Sequence, residues 1–285
     1  MRRALLLCAS LLVPLALAGQ EPSSLVPQVV EFPSGKLHLK GFLWKPVGAG
    51  PFPAVLFNHG SGGEHANETA GMQIEEAAAI LAPFFTRHGY IFFYPFRRGH
   101  GPSAGQAPFM QDLLRREEEV RGSEGKQHLQ FVLLTTEQIE DVMAALTFLK
   151  SVPSVDSRRV GVAGHSFGGS LALLAAERDP SIRAVVTFAA AANSWDRGPE
   201  LRELLLGAVR TIKAQIMLTH AENDFGTTAG KDLAAELDRL HKPYVLKIYP
   251  PVGLTREDGH GMLYLDIPAW EGDVFTFLDQ NVKHR

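Results

Sequence analysis

The sequence predicts a doubly wound α/β domain built on a mostly parallel sheet, and three observations predict it. Short apolar runs rich in β-branched or aromatic residues recur along the chain, most of them continuous rather than alternating, as strands covered on both faces require. Segments of helical periodicity lie between them, and such alternation implies right-handed crossovers onto one sheet. The chain is also long enough, at 285 residues with 45% hydrophobic, to bury one large core.

The first twenty residues stand apart. "MRRALLLCASLLVPLALAGQ" begins with Arg2 and Arg3, stays apolar from Ala4 to Leu15 and ends on the small-x-small signal Ala16-Leu17-Ala18. This predicts a cleavable signal peptide over residues 1–18 and a secreted or periplasmic single domain over 19–285. The alternative, an uncleaved membrane anchor, fits less well because the apolar stretch is short and Pro14 interrupts it; no stable membrane anchor is expected after cleavage. Cleavage removes Arg2, Arg3 and Cys8, the only cysteine, and takes the net charge from −3 to −5. An exported chain without cysteine holds itself together by its core alone and has no thiol nucleophile. No basic run is dense enough to suggest a nucleic-acid face. Asn67-Glu68-Thr69 has the form of a glycosylation triplet.

The elements follow in order. "QVVEFP" and "LHLKGFLWKP" read as antiparallel strands joined at Ser34-Gly35. "AVLFN" (54–58), "YIFFYP" (90–95), "RVGVAG" (159–164), "AVVTFA" (184–189), "QIMLTH" (215–220) and "YVLKIYP" (244–250) complete the strand set. Helical periodicity covers Gln73 to His88, Thr136 to Lys150, Gly169 to Glu177 and Thr228 to Leu240. Residues 102–135 are too long for a connector and carry their own helical pattern in Phe109, Leu113, Leu114 and Val120, which predicts a small helical cap insertion over the carboxyl end of the sheet.

In open parallel sheets, ligands bind beyond the carboxyl ends of the strands. There "RVGVAG" delivers Ser166 within Gly164-His165-Ser166-Phe167-Gly168, a G-x-S-x-G turn between strand and helix. "QIMLTH" delivers Asp224, "YVLKIYP" delivers His260 in a Gly-flanked loop, and "AVLFN" delivers His59-Gly60-Ser61-Gly62-Gly63. A serine hydroxyl needs an imidazole to take its proton, and that imidazole needs a carboxylate to hold its tautomer. Glu222 and Asp258 compete with Asp224 for the carboxylate role, and ten other histidines compete with His260.

The motifs "FNHGSGG", "YPFRRGHGPSAG", "VGVAGHSFGGSLAL", "AENDFGTT" and "DGHGM" resemble those of the α/β-hydrolase superfamily, over about Leu37 to Phe277. Within it, the sequence resembles the dienelactone-hydrolase and prolyl-oligopeptidase-like serine esterase group. The resemblance implies the α/β-hydrolase fold, a Ser166–His260–Asp224 triad and an oxyanion hole at the backbone N–H groups of Ser61 and Phe167. It implies no cofactor. Dienelactone hydrolases usually carry cysteine as nucleophile, so Ser166 moves the expectation from dienelactones toward a general esterase. His59 is expected to buttress the oxyanion loop, and Arg97 or Arg98 to anchor the neighbouring loop or bind a substrate carboxylate. Phe109, Met110, Phe131 and Trp195 are candidates for the lining or, the reading preferred, for the core of the cap.

The expected function is hydrolysis of a small-molecule carboxylic ester through an acyl-enzyme. One alternative is a prolyl-oligopeptidase-like peptidase, although the chain has no room for that group's large N-terminal propeller. Another is a non-catalytic binding protein on the same scaffold, which would be marked by loss of Ser, Asp or His; all three are present. His59, His65, His100 and His220 show no short-spaced pair, so no metal site is expected.

Overall fold

The computed structural model describes residues 26–284 except 64, 67 and 70. The signal-peptide reading and Asn67 fall outside them. Eight strands form the main sheet: β1 (Gln28–Ser34), β2 (Leu37–Trp44), β3 (Phe52–Asn58), β4 (Ile91–Pro95), β5 (Val155–His165), β6 (Ala184–Phe188), β7 (Gln215–Ala221) and β8 (Tyr244–Tyr249). Their spatial order is β1-β2-β4-β3-β5-β6-β7-β8. β2 runs antiparallel to both β1 and β4, and the remaining neighbours are parallel. This is the predicted doubly wound α/β class.

The continuity of the apolar runs has its reason in the two cores. On β3, Ala54 and Leu56 face the layer formed by α3 (Ile139–Ser151), α4 (Phe167–Arg178), α5 (Pro199–Thr211) and α6 (Thr228–Arg239). Val55 and Phe57 face α1 (Ile74–Arg87) and α9 (Ile267–Leu278) on the other side. A strand covered twice has no side left to be polar. Two shorter helices, α7 (Arg256–His260) and α8 (Met262–Leu265), precede α9.

The winding reverses at β3: the chain leaves it for β4 on one side and returns to β5 on the other. Such a switch point opens a crevice at the carboxyl ends. Here it sets Asn58 level with Gly164, which brings the loop from His59 beside the turn at Ser166.

The insertion differs from expectation in form. A 3₁₀ turn (Gly101–Gln106) leads into α2 (Met110–Leu133), a 24-residue helix broken at Gly122 (φ 70°, ψ −169°). It passes into α3 through a single π-helical turn, Leu134–Gln138, so the expected boundary at Thr136 does not exist. Met110, Leu114 and Leu133 join the core on the α3–α6 face and so tie the cap insertion to that layer. Four helices lie outside the segments expected from sequence, α5, α7, α8 and α9, although Leu201, Leu205, Ala208 and Val209 of α5, with Ile212 just after it, carry helical spacing. No helix among the described residues is long and apolar enough to cross a membrane.

Candidate active site

β5 ends at His165 and α4 begins at Phe167, which leaves Ser166 alone in the turn with φ 55° and ψ −119°. For a residue with a Cβ this is strained backbone, of the kind that persists where surrounding structure dictates it. Ser166 N–H donates to Phe188 O at 2.8 Å. The flanking glycines allow the turn to close on the end of β3. A Cβ on Gly164 would lie 2.1 Å from Gly168 O, and one on Gly168 would lie 2.1 Å from Asn58 O. Phe167 is the first residue of α4, where helix geometry leaves N–H groups without intrahelical acceptors. Ser166 and that helix terminus therefore meet at one point.

The segments that carry Asp224 and His260 are clasped together. Asn223 Nδ2 donates to Val252 O and Thr255 O, both at 2.7 Å, and Val252 N–H returns a bond to Asn223 Oδ1 at 2.9 Å. Thr255 and Asp258 form a capping box that starts α7, and His260 is the last residue of that helix rather than part of a loop. His260 Nδ1 donates to Asp224 Oδ1 at 2.7 Å. Of the rival carboxylates, Asp258 is occupied as the helix cap and Glu222 is exposed. Burial alone would raise the Asp224 pKa, but hydrogen bonds from His220 and His260 outweigh it and hold the carboxyl below its ordinary range.

His165, the variable residue of the turn, also has a place. Burial, with a smaller contribution from neighbouring His260, lowers its pKa to about 3, so it is neutral at physiological pH. Its Nε2 faces His260 O at 2.8 Å and must carry the proton. One side chain thus ties the serine turn to the backbone of His260.

The third component is the loop from His59 to Gly63, held by Arg97. This guanidinium is 1% exposed. It donates to His59 O at 2.9 Å and Gly60 O at 2.7 Å, while Nε donates to Gln138 Oε1 at 2.8 Å. Gln138 reaches it from the π-helical turn. Gly60 C=O shares a peptide plane with Ser61 N–H, so the arginine fixes the orientation of that peptide. Burial lowers the Arg97 pKa to about 9, partly offset by Asp141, and leaves it charged at neutral pH. Replacing Arg97 by methionine should lower the unfolding free energy in urea by about 3 kcal/mol, because several buried acceptors lose a donor at about 1–3 kcal/mol each. Unchanged stability would remove Arg97 from this role.

Arg98 does not reach the site. It makes a bidentate pair with Asp141, at 2.9 Å and 2.7 Å, and anchors its loop to α3. His59 lies fully buried with Nδ1 toward Gly60 O at 2.8 Å, a support for the loop rather than a substrate contact. A cavity of about 970 Å³ opens over Ser166 between α2 and the segment leading into α5. Ser61, Ser166, Phe167 and His260 all line it. Of the four candidates from sequence, Phe131 lines it, whereas Phe109, Met110 and Trp195 are buried in the core, the preferred reading for them. The Trp195 indole instead donates to Asp232 at 2.8 Å. Among the described residues, no group of three or more His, Cys, Asp or Glu is placed to hold a metal ion.

Residues 39–255 match the model of the Dienelactone hydrolase family. The chain belongs to that family. Quorum-quenching protein AidA of Acinetobacter baumannii (strain MDR-ZJ06) is 27% identical over 165 residues, 57% of this chain and 44% of that protein. The chain spans about half the length of the first curated relatives it matches. The dienelactone hydrolase of Anabaena variabilis ATCC 29413 superposes with a TM-score of 0.55 at 22% identity, covering 90% of this chain and 98% of that one. Pyrococcus horikoshii acylaminoacyl peptidase superposes with a TM-score of 0.61 at 18% identity, covering 91% of this chain but 42% of that one. These likenesses establish the α/β-hydrolase fold for this dienelactone hydrolase family member. Its two site features missed in the sequence reading are His165 as a tether and His220, which bonds Asp224 from the side opposite His260.

Proposed function

We propose that the chain hydrolyses carboxylic esters through an acyl-enzyme on Ser166. The observation that carries this reading is the Asp224–His260 bond of 2.7 Å beside the cavity that a strained Ser166 also lines. In the reaction, Ser166 Oγ attacks the ester carbonyl and His260 Nε2 takes its proton. Asp224 keeps the other imidazole proton on Nδ1 and stabilises the imidazolium. The oxyanion is met by the N–H groups of Ser61 and Phe167, each donor being worth about 3 kcal/mol. His260 then protonates the departing alcohol, and water repeats the sequence on the acyl group.

The lining supports an amphiphilic substrate. Leu114, Phe131, Leu134 and Leu201 offer an apolar wall for an acyl chain, whereas Lys126, Asn193, Arg197 and Glu200 suit a polar remainder.

The test combines labelling with turnover. A fluorophosphonate should add once, and peptide mapping should place it on Ser166. p-Nitrophenyl esters of two to twelve carbons should be hydrolysed with an optimum at intermediate chain length. Turnover of proline-anilide peptides without ester turnover would assign a peptidase instead, and absence of both labelling and turnover in folded protein would leave a binding scaffold.

A further inference from the structure

We propose that His220 is a positioning residue for the ester-hydrolysing site, fixing from behind the carboxylate that holds His260. The inference rests on the reading of Ser166, His260 and Asp224 given above, and deepens it.

His220 is the next-to-last residue of β7, 1% exposed, and its Nδ1 lies 2.9 Å from Asp224 Oδ2. The Asp224 side chain is itself fully covered. Its two oxygens face different partners. Oδ1 receives His260 Nδ1–H and the Phe225 backbone N–H, both at 2.7 Å, and Oδ2 receives His220. A buried carboxylate oxygen without a donor is costly, and the group escapes that cost by rotating or by taking a proton. Either escape weakens the bond from Oδ1 to His260. The His220 bond therefore sets both the torsion and the charge of the acid on which the imidazole depends.

The ring is held in place for this. Gly230 on α6 lies against it: a Cβ there would come within 2.8 Å of His220 Cδ2 and 2.9 Å of Nε2. The helix thus brings bare backbone onto the imidazole, which stands between α6 and the carboxylate. Orientation passes in one line, from α6 to His220, to Asp224, to His260.

The experiment compares wild type, Ser166→Ala, His220→Leu, His220→Asn and Gly230→Ala on the best p-nitrophenyl ester, with the melting temperature of each variant. The leucine removes the donor, whereas an asparagine amide presents an N–H close to the place of Nδ1. His220→Leu should lower kcat roughly ten- to hundredfold, the scale of a catalytic group displaced by an ångström, with KM nearly unchanged. His220→Asn should recover most of that loss, and Gly230→Ala, which crowds the ring without removing it, should also lower kcat.

Folded His220→Leu at wild-type kcat, or an asparagine variant as impaired as a folded leucine variant, overturns the proposal. Should the leucine variant fail to fold, an active His220→Asn with an impaired Gly230→Ala supports it, and wild-type kcat in both overturns it. Ester turnover that survives Ser166→Ala would instead overturn the underlying reading of the site, so the two failures are distinct.

Discussion

Ser166→Ala is expected to lower kcat for the preferred ester by about 10⁶-fold and leave stability unchanged, while Ser166→Gly should be equally inactive and more stable. The contrast follows from the backbone at φ 55° and ψ −119°. A Cβ in sparsely populated backbone geometry costs on the order of 1–3 kcal/mol. Alanine keeps that Cβ and the strain with it. Glycine releases it but loses roughly 0.5–1 kcal/mol through the greater freedom of its unfolded chain. The net gain should be about 1 kcal/mol, seen as a rise in Tm of about 2 °C. Kinetics and calorimetry on the same preparations check both halves. Alanine turnover within tenfold of wild type would remove Ser166 as nucleophile, and a glycine variant that melts no higher would show that the turn stores no strain.

The second large effect is expected for Asp224→Asn, a loss of about 10⁴-fold in kcat with the protein still folded. Two imidazole Nδ1 atoms face this carboxylate, at 2.9 Å from His220 and 2.7 Å from His260. A carboxylate accepts both protons. An amide has one acceptor and one donor group, so one ring must turn or change tautomer. If the amide nitrogen faces His260, the proton moves to Nε2, and the imidazole is no longer a base toward Ser166. The same substitution should alter acid stability. The Asp224 pKa is depressed in the folded chain, so its contribution is complete above the unfolded value of about 3.9 and is lost as pH falls toward the folded value. Stability curves of wild type and Asp224→Asn should therefore converge below about pH 4. Parallel curves there would show that the carboxyl is not held ionised by its partners.

β3, β4, β6 and β7 were legible because each is a short apolar run bounded by Gly, Pro or polar residues, and burial on both faces makes that pattern continuous. The serine turn was legible for a related reason. Gly164 and Gly168 are demanded locally, by atoms that would otherwise overlap at 2.1 Å. The cap was legible through the helical pattern of Phe109, Leu113, Leu114 and Val120, whereas its attachment through Met110, Leu114 and Leu133 is a matter of tertiary packing. Arg97 and Arg98 are adjacent in sequence and equivalent in composition. One is committed to the carbonyls of His59 and Gly60 and the other to Asp141, a distinction set by the direction each side chain takes from the strand end.

The sequence by itself determined the α/β class, the order of the strands along the chain, the tight turn at Ser166 and the appearance of a carboxylate and a histidine after later strands. These depend on periodicity and on contacts between near neighbours in the chain. The fold decided what meets across strand ends: His260 on one oxygen of Asp224 and His220 on the other, His165 on the backbone of His260, Arg97 beneath the peptide of Ser61. Sheet order and register bring these groups together from distant parts of the chain. Burial then removes the water that would otherwise satisfy them, so the bonds these groups make are to partners the fold supplies.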